Sequence, residues 1–233
     1  MKHKKIGLFI ADKSEYEPLG AVFGDLKIEE RPLFGLDGIK ICGDMGDEEL
    51  EIYAVRGGIG KVNAAAVCAL FAKEGCDIIV NFGLCGGLSG TRGGDIIICK
   101  DYVEHDMDLS PLGKKPTQLS EGEYYVTPQP YIDILKQICP QAKVGKIATG
   151  DSFVSDNKTA AFLENIGAIA VDMEATACAQ VCQLCDVPFV SFKQVSDNAD
   201  DSAGQDYRDM CETVLDQPAH IFREFLSHLN KLL

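Results

Sequence analysis

Eight short runs along the chain are rich in apolar residues, several of them almost throughout: KIGLFIA (5–11), IKICGD (39–44), EIYAVRG (51–57), DIIVNFG (77–83), DIIICK (95–100), VGKIATG (144–150), AIAVDME (168–174) and PFVSFKQVSD (188–197). They read as strands, and near-continuous apolar character is what a sheet covered by helices on both faces demands. Between them KVNAAAVCALFAKEG (61–75), DNKTAAFLENIG (156–167) and EATACAQVCQLCD (174–186) carry helical patterns, and a last helix is expected over much of Asp206 to Leu232. Strands alternating with helices predict an α/β protein, a three-layer α/β/α sandwich around a mixed, largely parallel central sheet, formed as one domain over residues 1–233. Residues 105–124, HDMDLSPLGKKPTQLSEGEY, have no clear periodicity and contain two prolines, so they read as a long loop of the kind that serves function.

Charge narrows the partners. A formal net charge of −14 repels phosphate backbones and anionic lipid, so nucleic acid and membrane surfaces are excluded as partners and a small molecule or a protein is expected. No apolar run approaches the length that crosses a bilayer, and GLFIA near the N-terminus is cut off by Asp12, too soon for a signal-peptide core. The reading is of a cytoplasmic protein. Its ten cysteines are spread over a full-size domain, several inside apolar runs (Cys42, Cys68, Cys99), as reduced buried thiols would be. Cys178, Cys182 and Cys185 have the C-x3-C-x2-C spacing of some iron–sulfur sites, but they fall on one face of a predicted helix, whereas cluster ligands lie on open loops.

In sheets of this kind ligands bind beyond the carboxyl ends of the strands. Three predicted strands end in acids: Asp151 after KIATG, Asp172 and Glu174 after AIAV, and Asp197 after FKQVS. Two others end in glycine clusters, GGIGK (57–61) and GLCGGLSG (83–90), where backbone can approach a ligand closely; neither is a nucleotide fingerprint. Singly, an acid at a strand-to-helix junction is often an N-cap or first-turn acid, and Asp172 is read as a structural helix-start acid. Cys85, in the second glycine cluster, is read as a small packing residue, having no histidine in its motif. The pair His105–Asp106 has no second ligand cluster beside it and reads as solvated loop.

Together, VDMEATACAQVC (171–182), VRGGIGKVNAA (55–65), NFGLCGGL (81–88), GDSF (150–153) and VSDNAD (195–200) resemble the nucleoside phosphorylase and nucleosidase superfamily, most closely the 5′-methylthioadenosine/S-adenosylhomocysteine nucleosidases. The resemblance extends from Ile6 to about Tyr207. It implies a phosphorylase/hydrolase-like fold, hydrolysis of the N-glycosidic bond of a 5′-substituted adenosine, a homodimer, and no cofactor or metal. It also implies roles. Asp197 is the general acid at purine N7 and Glu15 the base that orients the attacking water; Glu174 and Met173 hold the ribose, with Cys85, Gly86 and Ser196 beside it. Phe153 stacks on the purine, the Val154 backbone bonds its edge, and Leu112 from a neighbouring subunit covers the 5′ substituent.

The chemistry asks for such groups. Breaking the bond passes through an oxocarbenium-like sugar, so negative charge beneath the ribose and a proton for the leaving base both speed it. The rival reading is phosphorolysis, which needs arginines to grip phosphate; the resembling segments here carry ADKSEYEPL (11–19) and Asn81 instead, favouring water. A nucleoside-binding protein with weak turnover is the other alternative. The chain departs from the nucleosidase pattern at Asp12 (where Met is usual), Leu84 (Ser), Lys193 (Arg), Asp172 (Glu) and Leu112 (an aromatic).

Overall fold

The computed structural model describes residues 4–44, 49–88, 90–114, 117, 125–211 and 216–229. Ser89, most of 115–124 in the predicted loop, and 212–215 and 230–232 in the predicted last helix lie outside the described residues.

All eight predicted strands form. β1 (Lys4–Ile10) lies between β4 (Glu49–Arg56) and β5 (Ile78–Gly87), parallel to both. β3 (Gly38–Asp44) and β2 (Lys27–Glu30) continue antiparallel beyond β4. On its other side β5 pairs in parallel with β10 (Phe189–Asp197), and β10 runs antiparallel to β6 (Ile96–Glu104). β6 continues in parallel to β8 (Lys143–Thr149) and β8 to β9 (Ala168–Asp172), while the two-residue β7 (Tyr125–Val126) joins β6. β9 then returns antiparallel to the far end of β5, so β5, β10, β6, β8 and β9 close into a ring.

Alternation along the strands sorts side chains into the two faces. Ile6, Leu8 and Ile10 of β1 pack with Leu19 and Val22 of α2 (Pro18–Val22), Leu135 of α4 (Gln129–Ile138), and Phe222 and Phe225 of α8 (Gln217–Leu229). Phe9 points the other way, into a core with Val67 and Phe71 of α3 (Lys61–Lys73) and Cys178 and Cys182 of α6 (Ala175–Leu184). Helix, sheet and helix make three layers, and a smaller core lies under Leu163 of α5 (Asn157–Asn165).

The last helix is two. α7 (Ala203–Cys211) ends before α8 begins at Gln217, and Pro218 explains the restart: lacking an N–H, proline is tolerated in a first turn and not inside a helix. A second difference lies in β5, which the sequence ends at Gly83 in a glycine turn. The strand runs on to Gly87, pairing Gly86 with Val171 of β9 and with Asp197 of β10. A Cβ on Gly86 would stand 3.0 Å from Val171 Cγ1 and 3.2 Å from Asp197 Oδ1, so the glycines serve close passage between two strands and not a turn.

Candidate active site

Ring closure brings strand ends together. Because β9 meets β5 antiparallel through their final residues, Asp172 and Asp197 arrive on either side of Gly86, and Thr149, the last residue of β8, pairs with Asp172. Ala11 and Asp12 follow β1 into the same space. The result is a cavity of about 510 Å³ lined by, among others, Glu15, Phe153, Met173, Glu174, Asp197 and Tyr207.

On one wall four buried charges form a network. Lys193, 1% exposed on β10, places Nζ 3.0 Å from Asp172 Oδ2 and 3.9 Å from Glu174 Oε2. Burial works against its charge, and the Asp172, Glu174 and Glu15 carboxylates more than offset that, holding the ammonium above the usual lysine value. Asp172 also accepts from Thr149 Oγ1 at 2.5 Å and from the Ala175 amide at 2.9 Å, so it does serve the start of α6, from two residues before the N-cap position; it lines the cavity as well. Glu174 occupies the N-cap position without capping its own helix. Its Oε1 accepts from the Gly60 amide at 3.0 Å, which ties the first glycine cluster to this wall. Burial pushes the Glu174 carboxyl up to about 7, with Lys193 pulling it down and Asp172 pushing it further up.

Glu15 is placed by local helix chemistry. Asp12 is the N-cap of the four-residue helix α1 (Lys13–Tyr16), and Glu15 answers it from the third position of a capping box, its Oε2 accepting from the Asp12 amide at 3.1 Å. Its Oε1 accepts from the Leu84 amide at 2.7 Å, which swings the carboxylate across to β5. Gly83 makes room: a Cβ there would lie 2.4 Å from Glu15 Oε1. Burial raises the Glu15 pKa, opposed by Lys193.

Asp197 sits past a register shift in β10, 3% exposed. Oδ1 accepts from the Ala199 amide at 2.9 Å, holding Ala199 at φ 52°, a left-handed conformation that alanine seldom adopts. Oδ2 lies 2.7 Å from Ser196 Oγ, which is also 3.2 Å from the Cys85 carbonyl. That arrangement suits either protonation state: a carboxylate accepts from the serine, and a carboxylic acid donates to it while the serine turns its proton to Cys85 O. Burial raises the Asp197 pKa; Ser196 and Ala199 oppose this, and Asp206 and Asp200 add to it.

The structure brings together Asp197, Glu15, Glu174, Met173, Phe153, Val154, Cys85, Gly86 and Ser196 as lining of one cavity. Phe153 is half-exposed, edge-on to Tyr207 with ring centroids 5.7 Å apart. The Cys85 thiol is buried and pushed well up by burial, as suits a packing residue. Leu112 is not in the lining; it stands 76% exposed on a short 3-10 turn. Asn81 is fully buried, its amide donating to the Phe9 carbonyl and its oxygen accepting from Ser191, so it braces β1, β5 and β10 together. The His105–Asp106 pair is not free loop: Asp106 accepts from Lys61 Nζ at 2.6 Å and from the Asp151 amide at 2.9 Å. The sequence reading passed over Ile59, Tyr207 and Arg208. Ile59 follows Gly58 in a quoted motif; Tyr207 and Arg208 lie on a polar helix whose sequence has no strand end or glycine to mark it.

A closed-ring α/β sandwich with an acid-rich cavity at its strand ends defines the class: the family model described as the phosphorylase superfamily matches residues 5–227. A 5′-methylthioadenosine/S-adenosylhomocysteine nucleosidase of Geobacillus kaustophilus is 34% identical over 188 residues, 76% of this chain and 80% of that protein. The one of Buchnera aphidicola is 33% identical over 211 residues, 85% and 86% of the two chains. The chain belongs to this nucleosidase family. Among solved structures, the S-adenosylhomocysteine nucleosidase from Streptococcus pyogenes in complex with 5-methylthiotubericidin matches with a TM-score of 0.85 at 28% identity, over 98% of each chain.

Proposed function

We propose that the protein hydrolyses the N-glycosidic bond of a 5′-thio-substituted adenosine, of the 5′-methylthioadenosine or S-adenosylhomocysteine type, releasing adenine and a thioribose. The observation that carries this is the pairing, in one cavity, of a protonatable Asp197 with the anionic wall of Glu174 and Glu15.

Phe153 and the Val154 backbone take the purine, with Asp197 at N7. Its hydrogen bonding accommodates the acid form, and burial keeps the proton on to higher pH than in water. As the C1′–N9 electron pair moves into the purine, Asp197 passes its proton to N7. Glu174, anchored by Gly60, accepts the ribose hydroxyls and lies close to the growing cation, with Met173 against the sugar. Glu15 takes a proton from the water that attacks C1′. Leu84 at this point supplies an amide to Glu15 and no hydroxyl, so the water is oriented by the carboxylate.

Phosphorolysis is disfavoured by charge: five carboxylates (Asp12, Glu15, Asp172, Glu174, Asp197) line the cavity against Arg208 as the one basic side chain among the described lining residues. A dianion meeting them is repelled. We further propose a homodimer in which the partner's Leu112 covers the 5′ substituent, supported by the exposure of Leu112, and of Val62 and Ile59, the last of which lines the cavity.

The test follows 5′-methylthioadenosine in phosphate-free buffer and in buffered phosphate. Adenine and free methylthioribose are expected at equal rates in both, and a sugar 1-phosphate product overturns hydrolysis. Asp197→Asn keeps the shape and loses the proton, so kcat should fall by about two to four powers of ten with substrate affinity little changed. Near-normal kcat in that variant removes Asp197 from the chemistry.

A further inference from the structure

Resting on the nucleosidase reading, a question remains about what the 5′ substituent meets. With the base at Asp197 and the ribose hydroxyls at Glu174, the 5′ substituent leaves the sugar on the side opposite the base. Of the lining residues without a role so far, six come from the segment after β1, the Gly58 turn and α7: Ala11, Asp12, Ile59, Gly204, Tyr207 and Arg208; Ser152 and Val171 are the others. Two of the six carry opposite charges, where a methylthio group would call for apolar walls alone.

The two come from elements that touch. Ser14 Oγ, on α1, is 3.9 Å from Cys211 Sγ on α7, which brings the start of α1 against α7. Burial pushes the Tyr207 phenol up, Cys211 acts in the same sense, and the Asp12 and Glu15 carboxylates add to it; Tyr207 lines the cavity with both acids, and Arg208 follows it on α7. Asp12 is held ready: both Ser14 bonds, 2.9 Å from the amide and 2.7 Å from the hydroxyl, fall on Oδ1. Burial opposes its charge, and Ser14, the Lys13 amide and the more distant Arg56 cation together more than offset that, keeping the carboxyl below its ordinary value. Arg208 spends Nη2 on Gln205 Oε1 at 2.8 Å, one of the five N–H donors of a guanidinium whose fork matches a carboxylate.

We propose that Asp12 and Arg208 form a subsite for the α-amino-acid end of a long 5′ thioether, Asp12 taking the ammonium and Arg208 the carboxylate, so that this chain favours S-adenosylhomocysteine over 5′-methylthioadenosine. Ile59 and Tyr207 flank the intervening methylenes. Asp12 stands where the nucleosidase pattern has Met, so the charge is a property of this chain.

The experiment measures kcat/KM for four nucleosides: 5′-methylthioadenosine, S-adenosylhomocysteine, and two thioethers of similar length ending in only an amine or only a carboxylate. The enzymes are wild type, Arg208→Gln and Asp12→Asn; asparagine is also a good N-cap, so Glu15 stays placed. Arg208→Gln is expected to lower the preference for S-adenosylhomocysteine over the amine-only thioether by about tenfold, an exposed guanidinium being partly screened. Asp12→Asn lowers the preference over the carboxylate-only thioether in the same way. Wild-type preference for the methylthio nucleoside, or ratios unmoved by both substitutions while adenine is still released, overturns the subsite and leaves the nucleosidase reading standing. No adenine from any of the four overturns the nucleosidase reading itself, and the subsite with it.

Discussion

Lys193 carries its charge where water does not reach, and the three acids around it decide what that charge does. Removing one member of such a cluster leaves uncompensated charge in a low-dielectric interior, which costs far more than the net worth of the pair. For Glu174 the consequence is a pH dependence whose sign can be worked out. Its carboxyl is raised from an ordinary 4.5 to about 7, chiefly by burial, so the folded protein keeps that proton in a range where the unfolded chain has lost it. Stability from this group is fully present below 4.5 and lost as pH rises toward about 7. Urea denaturation of wild type and Glu174→Gln at pH 5 and pH 8 should show the variant gaining relative to wild type at the higher pH; a gap that stays constant contradicts the burial argument. In the proposed reaction catalysis runs the other way, because Glu174 would serve the ribose as an anion: kcat/KM is expected to climb with pH through about 7, and the limb should vanish in Glu174→Gln.

At the scale of elements, the carboxylate of Glu15, the base in the proposed reaction, depends on a strand it does not belong to. It reaches the Leu84 amide only because Gly83 has no side chain, a Cβ there falling 2.4 Å from Oε1. Gly83→Ala should therefore displace Glu15 and cut kcat by a hundredfold or so, the scale on which a small misplacement in an active site acts, with circular dichroism and cooperative unfolding retained. Unchanged kcat would show that the Leu84 contact does not position Glu15.

The same elements show what could be read from sequence. Strong apolar runs announced every long strand, but four-residue β2 (KIEE) is mostly exposed and two-residue β7 is too short for any period to register. α4 has a clear buried face at Tyr131, Ile132, Ile134 and Leu135, with Pro130 in its first turn, and went unread between the long loop and β8. Strand-end acids marked Asp197 and Glu174 because the architecture delivers strand ends to one place. Asp12-x-x-Glu15 is a capping-box signature that local pattern alone could have found. Arg208 had no such signal: an exposed basic residue in a polar helix gains meaning only from the neighbour that α1 provides.

For the whole molecule, the exposed apolar residues are the informative ones. Leu112 and Val62 are 76% and 80% exposed on a chain otherwise rich in surface charge, which fits a face covered by a second copy. Sedimentation at micromolar concentration should give a dimer, and Leu112→Asp should weaken the assembly and raise KM for 5′-thio nucleosides; a fully active wild-type monomer would contradict the arrangement.

The closed ring also dictates a schedule for a nascent chain. β5 leaves the ribosome early, with Gly86 ready to pair, yet its two partners in the ring, Val171 and Asp197, emerge some eighty-five and one hundred and eleven residues later. Until then the strand holds an open flank of unpaired backbone N–H and C=O groups between apolar side chains, and no truncated product ending before β10 can assemble either the ring or the wall around Lys193. Birth of the site thus waits for β10, and the interval between β5 and β10 is when the chain has most to gain from a chaperone.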